Sequence, residues 1–494
     1  MREMIGHNDE TAAARDARDL GHFGYAQELF RTMGGFSNFA ISFSIISIIT
    51  GIATQFDYGL EKGGPAEMSL GWPLVAIFTL AVAASMAELS SAFPTSGGTY
   101  HWAKLLGGEG CGWFTAWISI IGLIANVTAV DYGCAQFVAP LLGLSSTPKI
   151  LLLVYASILV SHGLLNHYGI RLVAWLNDFS VTVHIIGVVT IGGALVLFSP
   201  KQPISFFFER VSSSHGSYAW SFLLGLLMAQ WTLVGYDGSA HVSEETVDPR
   251  RRVPWAIVNS VVISAVVGYL LLFALTLSIH TIPAALGATD AAGNKIPAMI
   301  AILEQALGGR AGTIMSWFAV IAMWFCGVSC ITSNSRVIYA FARDNGMPFS
   351  RLWRTVTKTH ATPGPAIWLS VVLSFIIAIS SGAFSVVTSM STVALYVSYI
   401  VPIYLGWRAR QNNAWGEIAP WNLGRFSNAI NLIAMAWTGF ICIVLVMPPN
   451  QVAGEALVGL LALLAIWYFG WKRQRAQVPL TEPRPLGSGS ETVS

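Results

Sequence analysis

An aspartate and two glycines interrupt a long apolar stretch of this sequence. Asp237 lies between Gly235 and Gly238, after the apolar run 220–229 and before the basic cluster 250–252. An ionised carboxylate inside a bilayer is costly unless it is paired or hydrated, and irregular backbone is tolerated there only where it is buried in protein or lines a cavity. We therefore expect a break in a membrane-spanning helix, whose free N–H and C=O groups could hold a small charged molecule.

Other polar residues in apolar stretches could also do chemistry. Asp237 could bind a substrate amine, carry a proton or hydrogen-bond the broken backbone. His184 could bind a proton, because histidine titrates near physiological pH, or it could be a core histidine bonded to a neighbouring helix. Asn126 could contact a substrate, since a side-chain amide offers a donor and an acceptor. Asp131 is expected to be solvated near a membrane interface, and His162 is assigned no role.

The composition places these residues in a polytopic membrane protein. Of 494 residues, 54% are apolar and 11% charged, whereas a soluble chain carries about a quarter charged residues. The net charge of +2 gives no indication of nucleic-acid binding. The five cysteines form no CxxC pair and no metal-ligand spacing, so we expect small core residues, with no metal and no bound cofactor.

The elements that position these residues are apolar segments of about 20 residues, the length that crosses a bilayer as a helix. Residues 1–35 form a polar tail, with an interfacial helix near 25–31, and the end of the chain, 472–494, is expected to be disordered. Twelve spans are predicted: 36–60, 72–93, 112–142, 149–167, 176–199, 218–246, 254–279, 313–341, 364–381, 384–406, 427–447 and 453–471.

Lysine and arginine predict the orientation. With both termini in the cytoplasm, roughly 20 of these residues lie on cytoplasmic segments and about six outside, and the opposite arrangement would reverse this asymmetry. We therefore expect a multi-pass protein of the cell membrane with both termini cytoplasmic.

A second interruption lies five spans before the first. Thr50, Gly51 and Ile52 occur deep in the span 36–60. Spans five apart enter the membrane from opposite sides, and paired glycine-interrupted spans in two halves of a chain indicate a transporter site. A single glycine more often marks close helix packing, so the functional interpretation depends on the pairing and on Asp237.

Four motifs carry a resemblance to a known family. They are AELSSAFPTSGGTY at 87–100, GYDGSAHVSEET at 235–246 with Val253 and Pro254 after it, TSNSR at 332–336 and YAFARD at 339–344. The first looks like the second-span signature of the amino acid–polyamine–organocation (APC) superfamily of permeases. The others are similar to its amino acid/choline transporter branch, which includes fungal GABA and choline permeases and plant bidirectional amino acid transporters.

This resemblance implies an all-α polytopic fold of twelve transmembrane helices, with a five-plus-five inverted repeat of the leucine-transporter type and unwound helices 1 and 6. The implied organisation is a first repeat at 36–199, a second at 218–406 and peripheral helices 11 and 12 at 427–471, between the cytoplasmic tails 1–35 and 472–494.

The resemblance also implies a substrate site. Free N–H groups of Thr50, Gly51 and Ile52 would bind a carboxylate, as a helix N-terminus does. Trp231 would be an aromatic lid, the alternative being an ordinary core- or lipid-facing tryptophan, and Val234 would offer its carbonyl to an ammonium. The remaining implied contacts are Asn126, Gly235, Tyr236 and Asp237.

Two positions bear on the coupling ion. His184 lies about where some proton-coupled relatives place a lysine, near a cation site of sodium-coupled relatives. By the same resemblance, Ser329 and Cys330 align with two adjacent hydroxyl residues that bind sodium in the sodium-coupled relatives. The thiol of Cys330 would be a poor ligand for sodium, because a hard cation prefers oxygen. The resemblance therefore favours protons over sodium, with His184 and Asp237 as candidate proton carriers.

Charged residues near the cytoplasmic side could form an inner gate whose ion pairs close when the site faces outward. They are Glu88, Glu244, Glu245 and Arg336, with the arginines 250–252. The alternative is interfacial anchoring, which the positive-inside rule favours for the three arginines.

Together these expectations describe a secondary active transporter that moves a small zwitterionic amine, an amino acid or a GABA-like amino acid, by alternating access. Proton symport is the first expectation for its coupling, and exchange is the alternative. A choline permease would need an aromatic cage, to which Trp231, Tyr236, Trp324 and Phe325 could contribute.

A membrane-embedded enzyme and a channel are rivals from other classes. The sequence has no phosphate-binding glycine loop and no metal cluster for an enzyme, and a channel would not require paired broken helices. We assign no catalytic residues, and the oligomeric state stays open.

Overall fold

The computed structural model describes residues 15–168, 170–212, 217–357, 361–380, 384–412, 414 and 419–472. They form helices, with no strand among these residues beyond two isolated β-bridges, Met33–Thr246 and Thr289–Lys295. The predicted all-α polytopic class is confirmed. The helices are α1 (Gly35–Ile46), α2 (Ile48–Gly63), α3 (Trp72–Ala92), α4 (Thr99–Leu141), α5 (Pro148–Tyr168), α6 (Ile170–Phe198), α7 (Tyr218–Gly225), α8 (Leu227–Thr232), α9 (Gly238–His241), α10 (Pro249–Leu277), α11 (Ile282–Leu286), α12 (Ala298–Leu307), α13 (Gly309–Arg343), α14 (Ser350–Trp353), α15 (Gly364–Ser380), α16 (Phe384–Gln411), α17 (Ser427–Val446) and α18 (Gln451–Trp467).

Ten helical segments of the described chain are long and apolar enough to cross a membrane. They coincide with ten of the predicted spans. The sixth predicted span is divided among α7, α8 and α9, and the ninth coincides with the shorter helix α15. The total of twelve spans therefore stays a prediction, as do the inverted repeat and the side of each terminus.

The broken first span and α4 lie in the interior of the bundle, whereas α5 and α18 are largely exposed on its outside. Helices α16 and α13 both pack along α4, and α13 also contacts α1. Large apolar side chains cover the outside, among them Leu153, Leu197 and Phe198. Such a surface is suited to lipid tails, and the polar positions are gathered in the interior.

The polar tail differs from the expectation. Residues 15–22 are helical, but 23–34 are not, so the interfacial helix predicted near 25–31 is wrong. The physical reason is that side chains and backbone of this segment bond to the end of the bundle. The Met33 N–H, for example, donates to Glu245 O at 2.8 Å.

Candidate functional site

The first span is interrupted at Ser47, which has left-handed backbone angles (φ 32°, ψ 77°) between α1 and α2. Its hydroxyl oxygen accepts a hydrogen bond from the Thr50 N–H at 3.4 Å and lies 2.5 Å from Thr50 Oγ1. Serine often caps a helix in this way, because its side chain satisfies an N–H group that the first turn leaves without a backbone partner. One capping serine thus separates the two halves of the span.

The prediction that Thr50, Gly51 and Ile52 are themselves unwound is wrong, because all three lie within α2. The Gly51 N–H donates to Ser47 O at 3.0 Å. The glycine instead permits close helix packing, since a Cβ at Gly51 would overlap the Thr232 side chain of the sixth span. The N–H groups available for a carboxylate are those at the very start of α2, and their role stays a prediction.

The sixth span is interrupted between Thr232, which ends α8, and Gly238, which begins α9. Gly235 has a φ of 100°, which residues with a Cβ rarely adopt. A Cβ at Gly235 would also overlap Ile45, near the end of α1. Both the backbone angle and the close approach of the first span therefore require glycine here.

The two interruptions face each other in the interior. Ser42 of α1 donates to Tyr236 O at 2.7 Å and accepts from the Ser239 N–H at 2.8 Å. Asn38, one turn earlier, donates to Ser239 O at 2.9 Å. Part of the backbone freed by the sixth-span break is therefore bonded by the first span, and the breaks share one polar region inside an apolar bundle.

Trp231 borders this polar region. Its side chain is buried, and its ring packs edge-on against Phe384 with the centroids 6.4 Å apart. Phe384 in turn lines an open cavity of about 290 Å³, whose wall also includes Gln55 and Asp57. Trp231 thus lies between Phe384 of the cavity wall and the break in the sixth span. Val234 follows the end of α8. The roles of Trp231 as a lid and of the Val234 carbonyl as an ammonium acceptor stay predictions.

The four aromatic residues considered for a choline cage fall into separate groups. Tyr236 packs on a tyrosine of α16, with ring centroids 5.4 Å apart. Trp324 packs against Phe325 and donates its indole N–H to Ser161 Oγ at 3.1 Å. Within the described part of the chain, no ring contact joins Trp324 or Phe325 to Trp231 or Tyr236, so these residues do not form one cage in this conformation.

Asp237 is buried and has two protein partners. His241 Nε2 lies 2.9 Å from one carboxyl oxygen, and the Tyr399 hydroxyl donates to the other at 2.7 Å. Neither partner is among the residues predicted from the sequence. His241 could have been found from its spacing of four residues, one helical turn, whereas Tyr399 comes from α16 and has no local signal. A substrate ammonium would have to compete with these bonds, so direct amine binding is the least supported role of Asp237.

His184 is fully buried and contacts the first break. Its Nδ1 lies 2.8 Å from the Ser180 carbonyl oxygen, which can only accept, so Nδ1 carries a hydrogen. Its Nε2 lies 2.7 Å from Ser47 Oγ and accepts a hydrogen bond when the ring is neutral. A single hydrogen bond therefore connects this candidate proton carrier to the residue that interrupts the span.

Helix α13 places two thiols beside the first break. Asn126 of α4 donates to Cys330 Sγ at 3.4 Å, and the Cys326 thiol donates at 3.3 Å to a carbonyl of α1. Ser329, which aligns with a sodium ligand of the relatives, donates instead to Asn177. Among the described residues, no three His, Cys, Asp or Glu side chains are grouped so that they could hold a metal ion.

Asp131 and His162 form a buried pair. The prediction that Asp131 is solvated at an interface is wrong: neither side chain is exposed, and His162 Nδ1 lies 3.0 Å from Asp131 Oδ2. Gly327 makes room for the pair, because a Cβ there would overlap both side chains. The carboxylate is held by a neighbouring helix rather than by water, which the sequence could not show.

Two ion pairs lie at one end of the bundle, which we call the inner end. The opposite end contains the cavity beside Phe384, and we call it the outer end. Glu244 binds Arg343 through both carboxyl oxygens, each at 2.9 Å. Glu245 accepts from Arg336 at 3.2 Å. The structure thus brings three of the predicted gate residues together and adds Arg343, which lies in the YAFARD motif.

Glu88 pairs with a different arginine, so the structure does not bring it together with the other predicted gate residues, and its role in an inner gate stays a prediction. Its carboxylate accepts from Arg410 Nη1 at 2.6 Å and from Ser427 Oγ at 2.9 Å. These contacts tie α3 to α16 and α17. Of the basic cluster, Arg250 donates to Ser91 O at 3.2 Å, also away from the two ion pairs.

Segment 23–34 crosses over the inner ion pairs. The Tyr25 ring lies 3.9 Å from the Arg343 guanidinium carbon, and Arg31 donates to Thr246 O at 2.6 Å. The Tyr25 hydroxyl also donates to Asp344 at 2.8 Å. Burial raises the pKa of Asp344, but the Lys104 ammonium and the hydrogen bonds from Lys104, Tyr100 and Tyr25 together lower it more, so that this pKa lies below its ordinary value. The acceptor is therefore ionised at neutral pH, and segment 23–34 is bonded to a charged group at the inner end.

Facing helix breaks inside a lipid-exposed bundle are the arrangement in which many membrane transporters hold their substrates. Residues 33–468 match the family described as amino acid permease, and the chain belongs to that family, within the APC superfamily. It is a transporter of amino acids and not an enzyme, and the predicted superfamily is confirmed.

The relatives support the same assignment. The chain is similar to amino-acid permease BAT1 of Arabidopsis thaliana, with 34% identity over 485 residues that cover 91% of this chain and 93% of the relative. It is 36% identical over 469 residues to the amino-acid permease BAT1 homolog of Oryza sativa, covering 88% and 89%. An uncharacterized amino-acid permease of Schizosaccharomyces pombe is 31% identical over 465 residues, covering 90% and 84%. The finer placement in a GABA-like branch stays a prediction.

Proposed function

We propose that this chain is a proton-coupled symporter of an amino acid or GABA-like amino acid, working by alternating access. The observation that supports this most is that the two broken spans face each other. In addition, a buried histidine, His184, is bonded to Ser47 at one of the breaks. The two halves of the chain, 36–199 and 218–406, would move relative to each other around this site.

The substrate class follows from the backbone groups on offer. The start of α2 presents N–H groups, which attract a carboxylate, and the end of α8 presents carbonyl groups, which attract an ammonium. A zwitterion satisfies both. Choline has no carboxylate and would require an aromatic cage, and the four aromatic residues considered for one are in separate groups.

The coupling would operate through His184. In the neutral ring Nε2 accepts from the Ser47 hydroxyl, 2.7 Å away. A second proton on the ring makes Nε2 a donor, so that the Ser47 hydroxyl must turn its hydrogen elsewhere; Thr50 Oγ1, at 2.5 Å, is within reach. Proton binding thus rearranges the hydrogen bonds at the cap of α2, beside the proposed carboxylate site. The alternative is exchange of amino acids without protons, and the test must distinguish it from proton symport.

The test is uptake into proteoliposomes under separately imposed proton and sodium gradients, with labelled amino acids, GABA and choline. A pH difference of one unit is worth about 1.4 kcal/mol per proton, so with one proton per substrate the accumulation should rise about tenfold. We expect His184→Ala to lose this increase, whereas His280→Ala, at an exposed loop position, should keep it.

Several outcomes would contradict the proposal. Sodium-driven uptake that survives His184→Ala would reject the coupling assignment. Transport of choline in place of amino acids would reject the substrate class. Obligatory exchange, insensitive to both gradients, would reject symport and leave the helix breaks as an exchanger site.

A further inference from the structure

Glu67 is a carboxyl group that is buried with no hydrogen-bond partner among the described residues. It begins a π-helical turn, Glu67–Gly71, that leads into α3, and its side chain has no solvent exposure. Neither of its carboxyl oxygens has a hydrogen-bond partner within the described part of the chain. Most buried polar groups in proteins are hydrogen-bonded, so this carboxyl group requires an explanation.

Glycines from three elements enclose this carboxyl group. A Cβ at Gly63, Gly71 or Gly225 would overlap its oxygens. Gly63 ends α2 and Gly225 ends α7, so the carboxyl lies where the outer halves of the first and sixth spans meet the start of α3. Backbone on three sides therefore approaches the Glu67 carboxyl group closely. This enclosure depends on the packing of the outer halves of the first and sixth spans against the start of α3.

Among the described residues, no cation is bonded to the Glu67 carboxyl group. The phenols of Tyr58 and Tyr218 interact with it electrostatically, and their hydroxyls bond Asn450 and Gly63 O. The titratable and charged groups on the elements packed around it are Asp57, Tyr58, Glu61 and Lys62 of α2, Glu88 of α3, Tyr218 of α7, Tyr269, Arg250, Arg251 and Arg252 of α10, and Glu209 and Arg210 of the loop before α7. Of these, Glu88 and the three arginines of α10 lie at the other ends of their helices.

Burial of an unpaired ionised carboxylate costs several kcal/mol or more, and proteins avoid the cost by keeping such a group neutral. In the packed conformation Glu67 is therefore a carboxylic acid. Glutamine would fill the same space with a permanently neutral group. What the carboxyl adds is a proton that can be released when the surroundings become wet.

We propose that Glu67 is a proton-binding site of the transport cycle, protonated while the outer halves of the first and sixth spans are packed and deprotonated when they separate. The acid O–H then gives its proton to water and leaves a hydrated carboxylate, and no other bond changes. Tyr58, which interacts electrostatically with Glu67, also lines the outer cavity, so this cavity is the route by which water would reach the carboxyl group. Glu67 is a second proton site, separate from His184, and its assignment rests on the proposed function for the alternate opening and closing of the outer halves.

Linkage gives the direction of the effect. A proton that binds only in the packed conformation stabilises that conformation, and packing in turn strengthens proton binding by the same factor. Acidification on the outer side should therefore favour closure of the outer halves.

The experiment compares purified full-length wild type, Glu67→Gln and Glu209→Gln in proteoliposomes. Glu209 is the matched control, because it is exposed on the loop whose backbone carbonyl bonds Ala66. Infrared spectra should show, at neutral pH, the C=O stretch of a protonated and unbonded carboxylic acid in wild type and in Glu209→Gln, and its loss in Glu67→Gln. Acidification of the outer side should slow counterflow exchange in wild type and in Glu209→Gln, because it favours the closed outer halves, and this dependence on outer pH should be lost in Glu67→Gln.

Each result has a definite meaning. An unchanged infrared band in Glu67→Gln, or an outer-pH dependence of its exchange like that of the wild type, would overturn the proposal. If proton gradients do not drive accumulation in the wild type, the proposed symport fails, but the infrared band and the outer-pH dependence of exchange still test the Glu67 proton. If Glu67→Gln does not fold, the wild type is measured with isotope-labelled glutamate: a labelled protonated band at neutral pH supports the site, and its absence overturns it.

Discussion

Ser47 and Gly235 interrupt their helices for different physical reasons. Ser47 ends α1 because its side chain bonds the first turn of α2 and so replaces a backbone bond. Gly235 is needed because its φ of 100° disfavours any side chain and because Ile45 occupies the space where a Cβ would lie. A substitution at Gly235 therefore affects both the break and its contact with the first span.

Gly235→Ala is expected to destabilise the protein and to abolish uptake. A positive φ costs an ordinary residue about 1–3 kcal/mol, and overpacking against Ile45 adds to it. Gly238→Ala is the matched comparison, since its φ is ordinary and its nearest obstacle is the flexible end of the same isoleucine. Thermal unfolding in detergent and uptake in proteoliposomes measure the two variants. Equal losses of thermal stability and uptake in Gly235→Ala and Gly238→Ala would show that the positive φ of Gly235 is not the cause of the loss.

At the scale of elements, ion pairs connect the inner half of the sixth span to α13. Arg336, Glu244 and Glu245 are predicted from the sequence as gate residues, but their pairing is not, because the two glutamates are adjacent and either could reach an arginine. The structure assigns Glu245 to Arg336 and Glu244 to Arg343. All four side chains are largely buried, so breaking one pair leaves an uncompensated charge, which costs about 3–5 kcal/mol.

Arg336→Glu alone is expected to abolish transport. Exchange of the two charges, Arg336→Glu with Glu245→Arg, should restore part of it, because opposite charges again face each other. The mismatched combination of Arg336→Glu with Glu244→Arg is the control and should not. Initial uptake rates at equal surface expression measure the rescue. Rescue by the mismatched pair as well would mean that net charge, rather than this specific pairing, holds the inner end.

At the scale of the whole molecule, the lysine and arginine distribution predicts which face is cytoplasmic. An impermeant maleimide on intact cells should label Ala291→Cys, which is exposed in the loop between α11 and α12. Arg18→Cys, exposed near the amino end, should be labelled only after permeabilisation. The opposite labelling pattern would reverse the orientation, and the inner end would then face outward.

Part of the site could be predicted from the sequence because its signals are local. A glycine pair with an aspartate in an apolar span indicated the sixth-span break, and His184 was found because a titratable residue is rare in such a segment. The first-span break was misplaced by a few residues, because Gly51 serves packing while Ser47 does the capping. Glycine has two uses in membrane helices, and sequence alone does not separate them.

The sequence by itself determined that the chain is an all-α membrane protein, because its apolar runs are long enough to cross a bilayer as helices and any polar interruption in them is conspicuous. Only the tertiary structure decided which groups meet: Tyr399 donates to Asp237, Arg410 donates to Glu88, and Glu67 lies among glycines with no hydrogen-bond partner in the described part of the chain. Such contacts join residues far apart in the chain. They depend on how the helices pack, and no local pattern encodes that packing.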